Sequence, residues 1–143
     1  MSSPYESADL LLKLYELRRE PTMRQARQWF ATFHPESADD ISAVLRSEHG
    51  AYFRMVTSYW EMAASFVNNG AIDQKMFSDA NGEEIFVFAR LHPLLAEYRA
   101  RTGQPGYLTQ LEQVIMRTPN AQEQLAAMRE RIRPTAGRQP ARA

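Results

Sequence analysis

The stretch AYFRMVTSYWEMAASFVNNGAID, residues 51–73, decides the fold of this chain. Its apolar side chains recur at steps of three and four residues, and they cover most of the helix circumference: Tyr52, Phe53, Met55, Val56, Tyr59, Trp60, Met62, Ala63, Phe66 and Val67. A helix that is apolar on nearly every side is typical of the centre of a bundle. Asn69-Gly70 ends the pattern, because glycine adopts the left-handed cap conformation without steric cost. The sequence therefore predicts a central helix over about residues 51–69.

The segments ahead of the central helix carry signals for three further helices. Ser3-Pro4-Tyr5-Glu6 has the spacing of a capping box with proline at the first helical position, and Leu10, Leu11, Leu14 and Leu17 then form an apolar stripe. Pro21 begins a second helix, which His34-Pro35 ends because the residue before proline is pushed out of helical geometry. Ser37 is expected to cap the start of a short third helix.

The segments after the central helix predict up to four more helices. Asp73 caps a brief helical turn, and a longer helix runs from Glu83 to about Arg101. We expect Pro93 to kink or split that helix near Leu91. A seventh helix contains Tyr107, Leu108, Leu111, Val114 and Ile115, and Thr118-Pro119 caps the last. No segment shows the alternation of a strand, so the sequence predicts an all-α, single-domain bundle of six to eight helices over residues 1–133, followed by a disordered basic tail over 134–143.

Composition excludes several classes of protein. The 17 basic and 17 acidic residues cancel, although residues 129–143 hold five arginines and one glutamate. No overall field therefore attracts nucleic acid or anionic lipid. The chain has no cysteine, which excludes disulfides and thiolate metal sites. The first residues lack the order of a signal peptide, and Arg54 and Glu61 interrupt the best apolar run, so we expect no membrane span and a cytoplasmic location.

One ordered series of residues resembles a bacterial family of small helical domains of unknown function. The series covers about residues 50–116 and consists of Trp60-Glu61-x-x-Ala64, Gly70-x-Ile72-Asp73, Leu91-x-Pro93-Leu94, Arg99, Tyr107 and Glu112. Members of that family often carry a membrane anchor ahead of the domain, and we expect none in this protein. The resemblance implies a helical fold and no particular activity.

Four polar residues are the candidates for a buried polar pair or a ligand site: Glu61, Arg99, Arg54 and His92. Glu61 lies in the apolar central helix, and a buried charge is tolerable only when it is paired and hydrogen-bonded. Arg99 shares the apolar face of the sixth helix with His92, so we predict that Glu61 and Arg99 meet between helices. In the alternative arrangement Arg54, Ser58, Glu61 and Ser65 line a pocket, and Glu61 points at a ligand.

The sequence contains no recognisable catalytic or cofactor motif. His34, His49 and His92 have no partner ligand three or four residues away, which argues against a metal site. There is no cysteine nucleophile and no G-x-S-x-G turn, and the glycines lack a phosphate-binding spacing. Asp39 and Asp40 at the start of the third helix would repel DNA phosphates, so nucleic-acid binding through residues 21–48 is disfavoured. We expect a protein without enzymatic activity, metal or cofactor.

These observations favour a non-catalytic interaction or regulatory module with a protein partner or a second copy of the chain. Phe86, Val87, Leu91 and Leu94 are the residues expected to leave apolar surface for a dimer. Two alternatives stay open. One is a helical pocket that binds a small molecule with Glu61 and Arg99. The other is a weak nucleic-acid-binding regulator that uses the arginine-rich C-terminal tail.

Overall fold

The computed structural model describes residues 2–133, and in that part of the chain it contains eight α-helices and no strand. Their bounds are α1 Pro4–Arg19, α2 Pro21–Phe30, α3 Ala38–Leu45, α4 Gly50–Asn68, α5 Gln74–Ala80, α6 Glu83–Thr102, α7 Thr109–Met116 and α8 Ala121–Ile132. The predicted all-α, single-domain bundle is therefore confirmed. The predicted disordered tail lies outside the described residues.

Helix α4 is the centre of the bundle, as its all-round apolar pattern predicts. It packs most extensively against α2 and α7 and also contacts α3, α5 and α6. Phe53, Trp60 and Ala63 are completely or almost completely buried along its length. Its start and end differ from the predicted ones by a single residue, and Gly70 has the expected left-handed conformation, with φ of +80°.

Side-chain caps fix several of the other helix starts at the predicted positions. The Ser3 hydroxyl accepts a hydrogen bond from the Glu6 amide, and the Glu6 carboxylate accepts one from the Ser3 amide. Ser37 caps α3 in the same way by accepting from the Asp40 amide, and Asp73 caps α5 by accepting from the Met76 amide. These short-range signals are readable because both partners lie within one turn of sequence.

The end of α2 differs from the prediction. We expected His34-Pro35 to end this helix, but it ends at Phe30. The guanidinium of Arg90, on α6, donates to the carbonyl oxygens of Ala31 and Phe33. Pro35 has no N–H to offer the Ala31 carbonyl, so carbonyls at this end of α2 lack helical partners and this distant side chain satisfies them outside the helix.

Three further expectations about helix bounds are corrected. Helix α6 runs without a break through Pro93; its burial between α3, α7 and α8 favours the continuous form. Helix α7 begins only at Thr109, because Leu108 has a left-handed conformation with φ of 58°. Helix α8 begins after Asn120, also left-handed, instead of being capped by Thr118-Pro119. The Thr118 hydroxyl donates back to the Ile115 carbonyl at the end of α7.

Candidate functional site

Glu61 caps the start of another helix. It is half-buried on α4, and its Oε1 accepts a hydrogen bond of 2.8 Å from the Leu111 amide. Its Oε2 accepts a second bond of 3.2 Å from the Gln110 amide. Both amides belong to the first turn of α7, where backbone N–H groups have no partner within the helix. Leu108, at the usual cap position, has no side-chain oxygen, so the carboxylate of Glu61 replaces the missing local cap.

Arg99 binds the same part of the chain from α6. Its Nε donates to the Tyr107 carbonyl over 2.8 Å, and its Nη1 lies 3.1 Å from Oε1 of Glu112. Glu61 and Arg99 were predicted to pair directly, but within residues 2–133 they form no ion pair with each other. The two side chains converge on residues 107–112 with separate partners, because that segment supplies amides to the carboxylate and a carboxylate to the guanidinium.

The structure does not bring the four predicted site residues together. Arg54 is exposed, and with Ser58 and Glu61 it lines an open cavity of about 610 Å³. His92 lies elsewhere, where its ring stacks on Phe88 with 5.1 Å between the ring centres. Burial, and then the charge of Arg129, lower the pKa of His92. Both effects favour the neutral imidazole. A ligand-binding role for these four residues stays a prediction.

Neither a metal centre nor a membrane span is found in the part of the chain that the structure describes. Within residues 2–133, no three His, Asp or Glu side chains group in a way that could hold a metal ion. In the same range, no helix combines the length and the apolarity needed to cross a bilayer.

Helix α1 exposes an apolar stripe. Tyr5 is 88% exposed, Leu12 65% and Tyr15 50%, and with Ala8 they follow the spacing i, i+3, i+7, i+10. This spacing places all four on one side of the helix. We call Tyr5, Ala8, Leu12 and Tyr15 the α1 surface. A shallow groove of about 400 Å³ continues it toward α5 and is lined by Leu11, Met76 and Ala80.

Charges are unevenly distributed along α1. The first half carries Glu6 and Asp9, whereas the second half carries Lys13, Arg18 and Arg19 with Glu16 as its one acid. The guanidinium groups of Arg18 and Arg19 lie 5.5 and 5.8 Å from the ring centre of Tyr15. The α1 surface is therefore apolar in its middle, acidic near its start and basic near its end.

The apolar surface that the sequence predicted on α6 is not exposed in the structure. Val87 and Leu91 are fully buried, and Phe86 and Leu94 are half-buried, so α6 offers little apolar surface. Leu17, which belongs to the apolar stripe predicted on α1, is 54% exposed. The sequence does carry a signal for the α1 surface, because Tyr5 and Leu12 lie opposite the buried Leu14 on the helix.

Comparison with known proteins identifies a family and no individual relative. A family model described as a domain of unknown function, DUF4760, matches residues 5–118. The match covers nearly all of α1 and continues to just past the end of α7, which extends well beyond the predicted residues 50–116. No curated protein matches the chain, and no solved structure matches it.

Proposed function

This chain belongs to the DUF4760 family of domains of unknown function, and we propose that it is a non-catalytic interaction module that pairs with a second copy of itself through the α1 surface. The observation that carries the proposal is the exposure of Tyr5, Leu12 and Tyr15 on one side of a single helix. Burying such side chains removes apolar area from water, which stabilises an association by about 25 cal/mol per Å² before the entropic cost of binding.

The spacing on α1 supports a helix as the occupant. Steps of three and four residues match those of the inward-facing positions of a helix pair, in which side chains of one helix insert between those of the other. Ala8, in the middle of the stripe, allows close approach of a second helix. Tyr5 and Tyr15 at its two ends are large, rigid side chains of the kind enriched at protein interfaces.

The charge distribution supports a second copy in the antiparallel orientation. A two-fold axis near the middle of α1 places the acidic first half of one helix beside the basic second half of the other. The two helix dipoles then also run antiparallel, which is the favourable arrangement for dipoles side by side. A parallel arrangement would place like charges together, so electrostatics select one orientation.

The two alternatives receive less support. Both carboxylate oxygens of Glu61 already accept backbone hydrogen bonds, and Arg99 is paired with Glu112 and keeps only Nη2 without a partner among the described residues, so a ligand would have to compete with contacts that hold α7. Most of the arginine-rich tail lies outside the described residues, so its nucleic-acid binding stays a prediction.

Sedimentation velocity over a series of protein concentrations tests the proposal. We expect the wild-type chain to dimerise in the micromolar range, since a single helix pair is a small interface. Leu12→Glu places a charge in the middle of the α1 surface and should leave only monomer. Leu17→Glu is the matched control, because Leu17 is also exposed on α1 but points to another side.

Two results would overturn the proposal. One is a wild-type chain that stays monomeric at about 0.5 mM, well above micromolar dissociation constants. The other is equal loss of the dimer in Leu12→Glu and Leu17→Glu. Added salt should weaken the dimer, because the contribution from opposed charges is screened.

A further inference from the structure

A second feature of the molecule, away from α1, is a cavity of about 380 Å³ bounded by residues 34–36, α6 and α8. Its lining combines cationic and apolar side chains, which include His34, Arg90, Leu94, Arg129 and Ile132. The volume lies in the range of small-molecule sites. The lining contains three arginines, the third being Arg133, and one glutamate, Glu36.

Arg90 is a buried cation without a carboxylate partner in residues 2–133. It is 7% exposed, and its guanidinium donates to the carbonyls of Ala31 and Phe33 and lies 4.5 Å from the ring centre of Phe86. Its Nε is buried and has no hydrogen-bond partner among the described residues. Burial lowers the pKa of Arg90 to about 10. Buried arginines are normally compensated by an anion, so this charge is under-compensated.

Arg129 adds a second such group from α8. Its Nη1 is buried and has no hydrogen-bond partner within residues 2–133. No described carboxylate lies within ion-pair distance of Arg129, whereas the neighbouring Arg133 pairs with Glu130 at 3.6 Å. Two guanidinium groups from different helices thus contribute to one wall with unused donors.

His34 adds a neutral hydrogen-bond donor to the cavity wall. Burial and the nearby Arg90 lower the pKa of His34, which favours the neutral ring. Its Nδ1 lies 2.9 Å from Nη1 of Arg90 and accepts that hydrogen bond. The proton of the neutral ring therefore resides on Nε2, which makes His34 a further donor beside the two arginines.

We propose that this cavity binds a small organic anion, whose carboxylate or phosphoryl group pairs with Arg90 and Arg129 and whose apolar body packs on Leu94, Pro93 and Ile132. Guanidinium groups suit both head groups because they offer parallel N–H donors to two oxygens. The apolar part of the wall favours an anion with a short hydrocarbon body over a bare ion. The volume suits a small organic molecule and excludes a folded partner.

The test uses the full-length chain and three probes: hexanoate, inorganic phosphate and the neutral hexan-1-ol. Nitrogen–proton correlation spectra of the arginine Nε–H groups report binding directly, with each signal assigned by through-bond correlation to its own residue. We expect the Arg90 and Arg129 signals to shift in a saturable way with hexanoate or phosphate, and not with hexan-1-ol. Saturation with phosphate alone would assign a phosphoryl ligand, and saturation with hexanoate a carboxylate.

Variants provide the matched comparison. Arg129→Gln should weaken binding by about tenfold or more, the change expected for loss of a charge-assisted hydrogen bond. Arg131→Gln removes the same charge from an exposed position on α8 and should leave the affinity unchanged. The proposal is overturned if no anion saturates the wild-type signals, if hexan-1-ol binds as well as hexanoate, or if both variants weaken binding equally. Arg90 also holds the end of α2, so replacing it would disturb the fold as well as the cavity. Binding at Arg90 is therefore followed through the shift of its own Nε–H signal in the wild-type chain.

Discussion

The carboxylate of Glu61 lies 2.8 Å from the amide of Leu111, fifty residues further along the chain, and so joins the middle of α4 to the start of α7. This contact explains how a bundle tolerates a charge in its central helix. The carboxylate is half-buried, yet its two oxygens accept two amide hydrogen bonds at the positive end of a helix dipole.

Replacing Glu61 should therefore destabilise the fold. We expect Glu61→Ala to lower the free energy of unfolding by about 2 kcal/mol, the upper range for loss of a helix cap, and Glu61→Gln to lower it less because an amide oxygen still accepts. Urea denaturation measures both changes. Glu48→Ala, at a side chain that is 86% exposed, is the control and should change stability by less than about 0.5 kcal/mol. Equal effects of Glu61→Ala and Glu48→Ala would disprove the capping role.

Local signals explain how much of this fold could be predicted from the sequence. The caps at Ser3, Ser37 and Asp73 bond within one helical turn, so their sequence spacing suffices to locate three helices. The partner of Glu61 could not be predicted, because it depends on the left-handed backbone of Leu108, and leucine rarely adopts that conformation.

The candidate sites were harder to predict than the helices. Arg90 lies within a helix that reads as apolar, and its contacts with Ala31 and Phe33 span more than fifty residues. The α1 surface was missed because α1 has leucine or tyrosine on more than one side. Periodicity alone cannot decide which of those sides another helix covers.

Gly50 is required by the close approach of α3 and α4. A Cβ atom at this position would lie 2.5 Å from the carbonyl oxygen of Leu45 and 3.2 Å from that of Val44. Both are backbone atoms, so one of the helices would have to move. We expect Gly50→Ala to lower the free energy of unfolding by about 2 kcal/mol, despite the better helix propensity of alanine.

Thermal or urea unfolding checks this prediction against Gly106→Ala. A Cβ atom at Gly106 meets nothing within 4 Å, so that variant should be neutral or slightly stabilised through the unfolded state. Similar stability of the two variants would show that the α3–α4 contact can relax without cost.

Arg27 and Glu83 form a bidentate ion pair between helices. Nε of Arg27 lies 3.0 Å from each carboxylate oxygen, and Nη2 lies 2.8 Å from Oε1. The pair joins α2 to α6 and is less than one-third exposed on both sides. Its geometry and partial burial predict a coupling free energy of about 1–2 kcal/mol in a double-mutant cycle of Arg27→Met and Glu83→Gln.

The exposed pair of Lys75 and Asp79 supplies the comparison for that cycle. Its distance is 2.7 Å, but the two side chains are 84% and 62% exposed. We expect a coupling of no more than about 0.5 kcal/mol there, because solvent screens the charges. A coupling at Arg27–Glu83 as small as this would contradict the prediction.

Glu84 is the one carboxyl group of the described residues whose burial exceeds nine-tenths. It is 3% exposed, and its Oε2 has no hydrogen-bond partner within residues 2–133. Burial raises the pKa of Glu84 to about 7, and the neighbouring Arg18 offsets only part of that effect. The side chain therefore ionises near neutral pH in the folded protein and, in the unfolded chain, near its ordinary pKa of 4.5.

This difference makes stability depend on pH in a definite direction. Between pH 4.5 and about 7 the unfolded chain has already lost the Glu84 proton while the folded protein keeps it, so the free energy of unfolding falls as pH rises. Glu84→Gln cannot ionise and should match the wild type near pH 4.5, yet exceed it by up to about 3 kcal/mol at pH 8. Urea denaturation at several pH values measures the difference, and Glu48→Gln, which alters an exposed carboxylate, should follow the wild-type curve. Parallel curves for Glu84→Gln and the wild type would show that this carboxyl group is solvated in the folded protein.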